Sequence, residues 1–63
     1  MKVLKIIKCN DPMLWYSEFV GKFVPYIGMW PECFKSREKA GYVNIVNFED
    51  ADLIEMNNDV EFY

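Results

Sequence analysis

Gly41-Tyr42-Val43-Asn44-Ile45-Val46, followed closely by Asp50-Ala51-Asp52-Leu53-Ile54, limits what this chain can become more than any other stretch. A glycine turn, an aliphatic run, a short polar corner and a second aliphatic run fit two strands joined by a tight corner. The pattern sets a small, mainly antiparallel β domain. It carries no chemistry of its own.

With 63 residues, the chain is long enough for a single domain. Folding at this size removes roughly 60% of the unfolded chain's surface from water, so small domains often lean on disulfides, metals or partner subunits. Here Cys9 and Cys33 are the only cysteines and histidine is absent. Two cysteines without a secretory signal suit a reduced cytosolic chain, and no paired ligands of the zinc-binding type occur. No metal or other cofactor is therefore expected. Apolar residues make up 52% of the chain and aromatics 17%, more than one small core absorbs. Contiguous apolar surface marks interfaces, so a homo-oligomer or an obligate protein partner is expected. No run approaches the ~20 apolar residues of a membrane-spanning helix. Met1–Lys8 has too short an apolar centre for a signal peptide and reads as a strand, which implies a soluble, cytoplasmic chain.

Residues 2–9 alternate Val, Ile and Leu with Lys2, Lys5 and Lys8, a composition suited to a first strand whose lysines discourage stray pairing. Asp11 and Pro12 fit the N-cap and first position of a helix, Trp15 and Phe19 share a face, and Gly21 suits a terminus. The expected element is a short helix or helical turn over Pro12–Val20. A second strand is expected over Lys22–Met29, with Pro25 confining it to an edge or bend. Trp30-Pro31-Glu32 reads as a turn, Cys33–Arg37 as the third strand, and Glu38–Gly41 as the turn into Tyr42–Asn47. A corner at Phe48–Ala51 then leads to a closing strand, Asp52–Met56. Residues 57–63 form either a loose acidic tail or a docked one. The whole chain, 1–63, is read as one small five-stranded antiparallel barrel with one short helical turn.

The Gly41-Tyr42-Val43 strand, the Glu49-Asp50-Ala51 corner and the Leu53-Ile54 strand resemble the end of a Src-homology-3-like barrel. The order of the basic first strand, Asp11-Pro12, Trp15-Tyr16, Val20-Gly21 and Gly41-Tyr42-Val43-Asn44 also resembles short uncharacterised bacteriophage proteins. The Ala-Leu-Tyr-Asp-Tyr segment and paired tryptophans of proline-rich-peptide binders are missing. The resemblance implies a phage protein working in the bacterial host cytoplasm, not a reader of proline-rich peptides.

Catalytic groups are sparse. Histidine and threonine are absent, and Ser17 and Ser36 lie in no recognisable nucleophile motif. Glu49, Asp50 and Asp52 could hold a cation or act as acid and base, but read more simply as a solvated corner. All seven Lys and Arg lie at or before Lys39, and the last third is acidic. An acidic face attracts basic protein surfaces, could imitate a row of DNA phosphates, or simply keeps an apolar domain in solution. The lysines with Trp15, Tyr16 or Phe34 could instead form a stripe for single-stranded nucleic acid, against which the net charge of −3 argues. Trp30 and Tyr16 are natural interface anchors, and Trp30 before a proline has the better claim to exposure. The expected function is non-enzymatic: an accessory protein that binds a protein partner, such as a host protein that it inhibits. Its contact residues would be Trp30, Tyr16, Tyr42, Glu49, Asp50 and Asp52. The alternatives are an oligomer-forming structural module and a nucleic-acid-binding barrel.

Overall fold

Six short strands arrange themselves in two three-stranded antiparallel sheets in the computed structural model, which describes residues 1–63. They are β1 (Lys2–Ile6), β2 (Phe23–Pro25), β3 (Gly28–Trp30), β4 (Cys33–Arg37), β5 (Val43–Asn47) and β6 (Ala51–Glu55). The first sheet has the order β2-β1-β6 and the second β3-β4-β5. The protein is mainly β, as the alternation implied, but the expected five-stranded closed barrel does not form.

The reason lies in Lys22–Met29, read as one strand. Pro25 ends β2, two residues leave the first sheet, and Gly28 opens β3 in the second. Gly28 sits at φ +152°, in the region that favours glycine, and a Cβ there would meet the Lys35 side chain at 3.7 Å. The switch is held by Ser36, fully buried on β4, whose hydroxyl donates to the Pro25 carbonyl at 2.6 Å.

The segment before β2 takes the helical-turn form of the expectation and not the helix: over Pro12–Val20 there is a chain of turns with one 3₁₀ turn at Ser17–Phe19. Its backbone bonds run Leu14 to Asp11, Ser17 to Leu14, Phe19 to Tyr16 and Lys22 to Phe19, all three residues apart. Asp11 Oδ1 accepts from Met13 N at 2.9 Å, which makes a local turn instead of a helix cap. This tighter winding delivers the consecutive residues Trp15 and Tyr16 to the same strand, β5.

Between the sheets lie Leu4, Ile6, Tyr16, Val24, Phe34, Val46 and Ala51. Leu4 pairs with Val24 on one side and Leu53 on the other, and Phe34 pairs with Met29 and Val46. Only ten of the 63 residues are buried, which leaves eleven large apolar side chains exposed. A domain of this length has a net stability of roughly 3–9 kcal/mol, so each core contact counts. The 3₁₀ turn Phe48–Asp50 links β5 to β6 and so joins the sheets. The chain's end is docked: Phe62 bridges Phe23, and Tyr63 packs against Trp15 and Phe19. No helix is long and apolar enough to cross a membrane.

Candidate functional site

The β4–β5 hairpin is the most regular part of the molecule. Gly41 turns it at φ +104°, Gly41 N–H donates to Glu38 O at 2.8 Å, and Glu38 N–H donates to Tyr42 O at 2.7 Å. At the opposite end of the hairpin, Trp30, Cys33 and Asn47 lie in one cross-strand row. Phe48 follows Asn47 directly and sets its ring edge-on to Phe34, centroids 4.9 Å apart. Around it, Glu32, Asn47, Phe48 and Glu49 line an open hollow of about 250 Å³. Trp30, Met29 and Phe48 are all exposed here, at 37%, 54% and 41%. The Lys35 ammonium lies 5.3 Å from the centre of the Trp30 ring. This end of the hairpin sheet therefore presents Phe48 beside two acids in the hollow, with Met29 and Trp30 exposed on opposite faces of β3.

The sequence-derived contact residues do not form one site. Trp30 and Glu49 belong to this end. Tyr42 is 71% exposed but lies at the other end of β5, about 17 Å away at the rise of an extended strand. Asp52 is exposed on β6, in the other sheet, opposite Lys5. Tyr16 and Asp50 are not on the surface at all: Tyr16 is fully buried and Asp50 is 4% exposed. The reading of both as surface contacts is corrected by this burial. They are internal because they satisfy each other, the Tyr16 hydroxyl donating to Asp50 Oδ2 at 2.5 Å. The same hydroxyl accepts the Asn47 N–H at 3.3 Å. Burial first, and then the bond to Asp50, push the Tyr16 phenol well above its ordinary value of 10.0. Through its backbone carbonyl, Asp50 also receives Ile7 N–H at 2.8 Å, so it ties the corner to the first sheet. No three His, Cys, Asp or Glu side chains converge as a metal-binding group would require.

Of the aromatics considered for a basic stripe, Tyr16 and Phe34 are buried. Trp15 is half-buried, with its Nε1–H donating to Ile45 O at 2.7 Å. None of the three offers an open ring face. Phe48, Met29 and Glu32 were not singled out from the sequence. Phe48 could have been, as a large apolar residue on the corner already read as solvated. Comparison with family models, with curated proteins and with solved structures finds no match for the chain, so its own surface carries the functional reading.

Proposed function

We propose that this chain is a non-enzymatic, phage-encoded accessory protein that works by binding a host protein and inhibiting it. The observation that carries the binding reading is the end of the hairpin sheet. There Phe48 stands in water beside Glu32 and Glu49, and Trp30 and Met29 are exposed on the two faces of the adjoining strand β3. Aromatic and methionine side chains with a polar rim are the composition of interface centres, and acids at the rim favour a basic partner surface. A small domain that exposes these rings on rigid strands spends little conformational entropy when they are covered.

The test is affinity capture from bacterial lysate at physiological salt, with the tagged chain and two variants. Glu32→Lys with Glu49→Lys reverses the rim charge without touching the core, and Trp30→Ala removes an anchor. A specific host protein held by the wild type and lost by both variants is the expected result. Capture unaffected by either variant, or no specific capture at all, removes the proposal.

A further inference from the structure

Four strand edges close the two sheets, and three of them are managed. The β2 edge is covered by the chain's own end, where Phe62 bridges Phe23 and Tyr63 N–H donates to Phe23 O at 3.0 Å. The middle of the β5 edge is occupied by side chains: Trp15 occupies Ile45 O, the Tyr16 hydroxyl takes Asn47 N–H, and Asn44 Oδ1 takes Ile45 N–H at 2.7 Å. The β3 edge is three residues long and stops at Pro31.

β6 has none of these devices. Its flanking bonds, Met56 N–H to Met1 O and Ile7 N–H to Asp50 O, fix the phase of pairing with β1. Antiparallel alternation then turns Asp52 and Ile54 toward β1, and turns Ala51, Leu53 and Glu55 outward. The outward backbone groups of Leu53 and Glu55 have no partner within the chain, while Ala51 is buried, 4% exposed. Natural edges carry proline, bulges or charged side chains; this one has no proline or bulge, its charges are Asp52 and Glu55, and Leu53 in its middle is 38% exposed.

We infer that β6 is a self-pairing edge, through which two copies of this chain join antiparallel with the two Leu53 residues facing each other across a two-fold axis. The outward set is centred on Leu53, so it matches its own rotated copy. Leu53 N–H meets Leu53 C=O in both directions across the axis. Registers within each copy extend the match. Leu4 pairs with Leu53, so the central row reads Leu4, Leu53, Leu53, Leu4 and continues the apolar core through the interface.

The charges favour a second copy over a basic extended segment. Asp52 stands opposite Lys5 and Glu55 opposite Lys2 in the β1–β6 register, and the N-terminal ammonium stands 3.7 Å from Glu55 Oε2. In the dimer Asp52 faces Ile54 and Glu55 faces Ala51, so no acid lies directly opposite another. The edge thus offers hydrogen-bonding groups and a leucine, with a lysine of the same copy opposite each acid in the register. The joined first sheets would run β2-β1-β6-β6-β1-β2, with each outer edge already covered.

Light scattering after size exclusion tests this with the full chain. The expected mass rises from 7.5 kDa toward twice that value with concentration. Leu53→Lys, which sets two ammonium groups face to face, should weaken association about tenfold or more. Leu53→Pro, which removes the outward N–H without breaking a bond to β1, should do the same. Tryptophan fluorescence confirms that both variants are folded. In a Cys9→Ser, Cys33→Ser background, Leu53→Cys should cross-link under oxidised glutathione, because facing Cα atoms about 5.5 Å apart suit a disulfide. Asp52→Cys, placed opposite residue 54, should cross-link far less. A chain that stays monomeric up to about 1 mM overturns the inference, whether or not a lysine-rich peptide perturbs the Leu53 amide. A dimer that survives both Leu53 variants overturns it too. The pairing does not rest on host-protein binding: a β6 dimer that captures nothing removes only the proposed function, and a monomer that captures a partner removes only the dimer.

Discussion

β5 and β6 invite comparison because they are so alike in sequence and so different in circumstance. Each has five residues, each is the last strand of its sheet, and only the turn Phe48–Asp50 separates them. Yet the outward groups of Ile45 and the Asn47 N–H on β5 are taken up by Trp15, Tyr16 and Asn44, whereas those of Leu53 on β6 have no partner within the chain. The difference comes from elsewhere in the chain. Residues 11–22 fold as turns that lay two large aromatic residues along β5, and no segment does this for β6. An edge is therefore closed or left open by what the topology brings to it, and the strand's own composition decides little.

The largest expected effect comes from breaking the closed side. Trp15 donates to Ile45 O and its ring touches those of Tyr16, Phe19 and Tyr63, so one residue joins the loop, β5 and the chain's end. Trp15→Ala should cost about 3–5 kcal/mol, comparable with the whole stability of a domain this small. Urea unfolding should show the variant largely unfolded at 25 °C, and a shift below about 1 kcal/mol would mean that the loop does not hold β5.

A smaller break at the same edge adds a pH signature. Tyr16→Phe keeps the ring and removes the hydroxyl, so Asp50 loses its donor and Asn47 N–H its acceptor, a loss of about 2 kcal/mol. Because burial and the bond to Asp50 raise the phenol's pKa on folding, with Asp50 and Cys9 as the acidic groups facing it, folding retains the proton. The stability this contributes is complete below pH 10 and declines as pH rises through the higher folded-state value. Urea midpoints measured from pH 8 to pH 11 should fall more steeply in the wild type than in Tyr16→Phe. Tyr42→Phe, at an exposed tyrosine, should follow the wild type. Parallel curves for all three would refute a buried, proton-retaining Tyr16.

Much of the fold was legible because it depended on local pattern. The Gly41 turn, the strands beside it, the corner and the aliphatic run after it follow from alternation and turn chemistry at those residues. What escaped was decided at long range. Lys22–Met29 reads as one strand, and only Ser36, eleven residues after Pro25, reveals that it divides between two sheets. Asp50 reads as a surface acid, and its burial depends on a tyrosine 34 residues earlier. Asp11-Pro12 signals a helix start, yet the demand of β5 for two adjacent aromatics favours tighter turns. Trp30 and Glu49 are exposed, as a turn proline and a corner acid imply, and the exposure of Phe48 was hidden by its neighbours' polarity.

The smallest expected effect on stability is at Leu53, and there the comparison between the two edges is tested most finely. The side chain lies at the rim of the core, 38% exposed, with its backbone groups outward, so a lysine there can direct its ammonium into water while its stem covers Leu4. At low concentration, where the chain is monomeric, Leu53→Lys should change unfolding free energy by less than about 0.5 kcal/mol. At high concentration the wild type should gain stability from pairing, since ligation of the folded state by a second copy adds to the free energy of unfolding. The variant should gain none. Val43→Lys is the matching substitution on the other strand, at an exposed position facing away from the core and two residues before the occupied groups of Ile45. It should leave the concentration dependence of the wild type intact. A concentration-dependent gain lost through Val43→Lys and kept through Leu53→Lys would reverse the assignment of which edge is open.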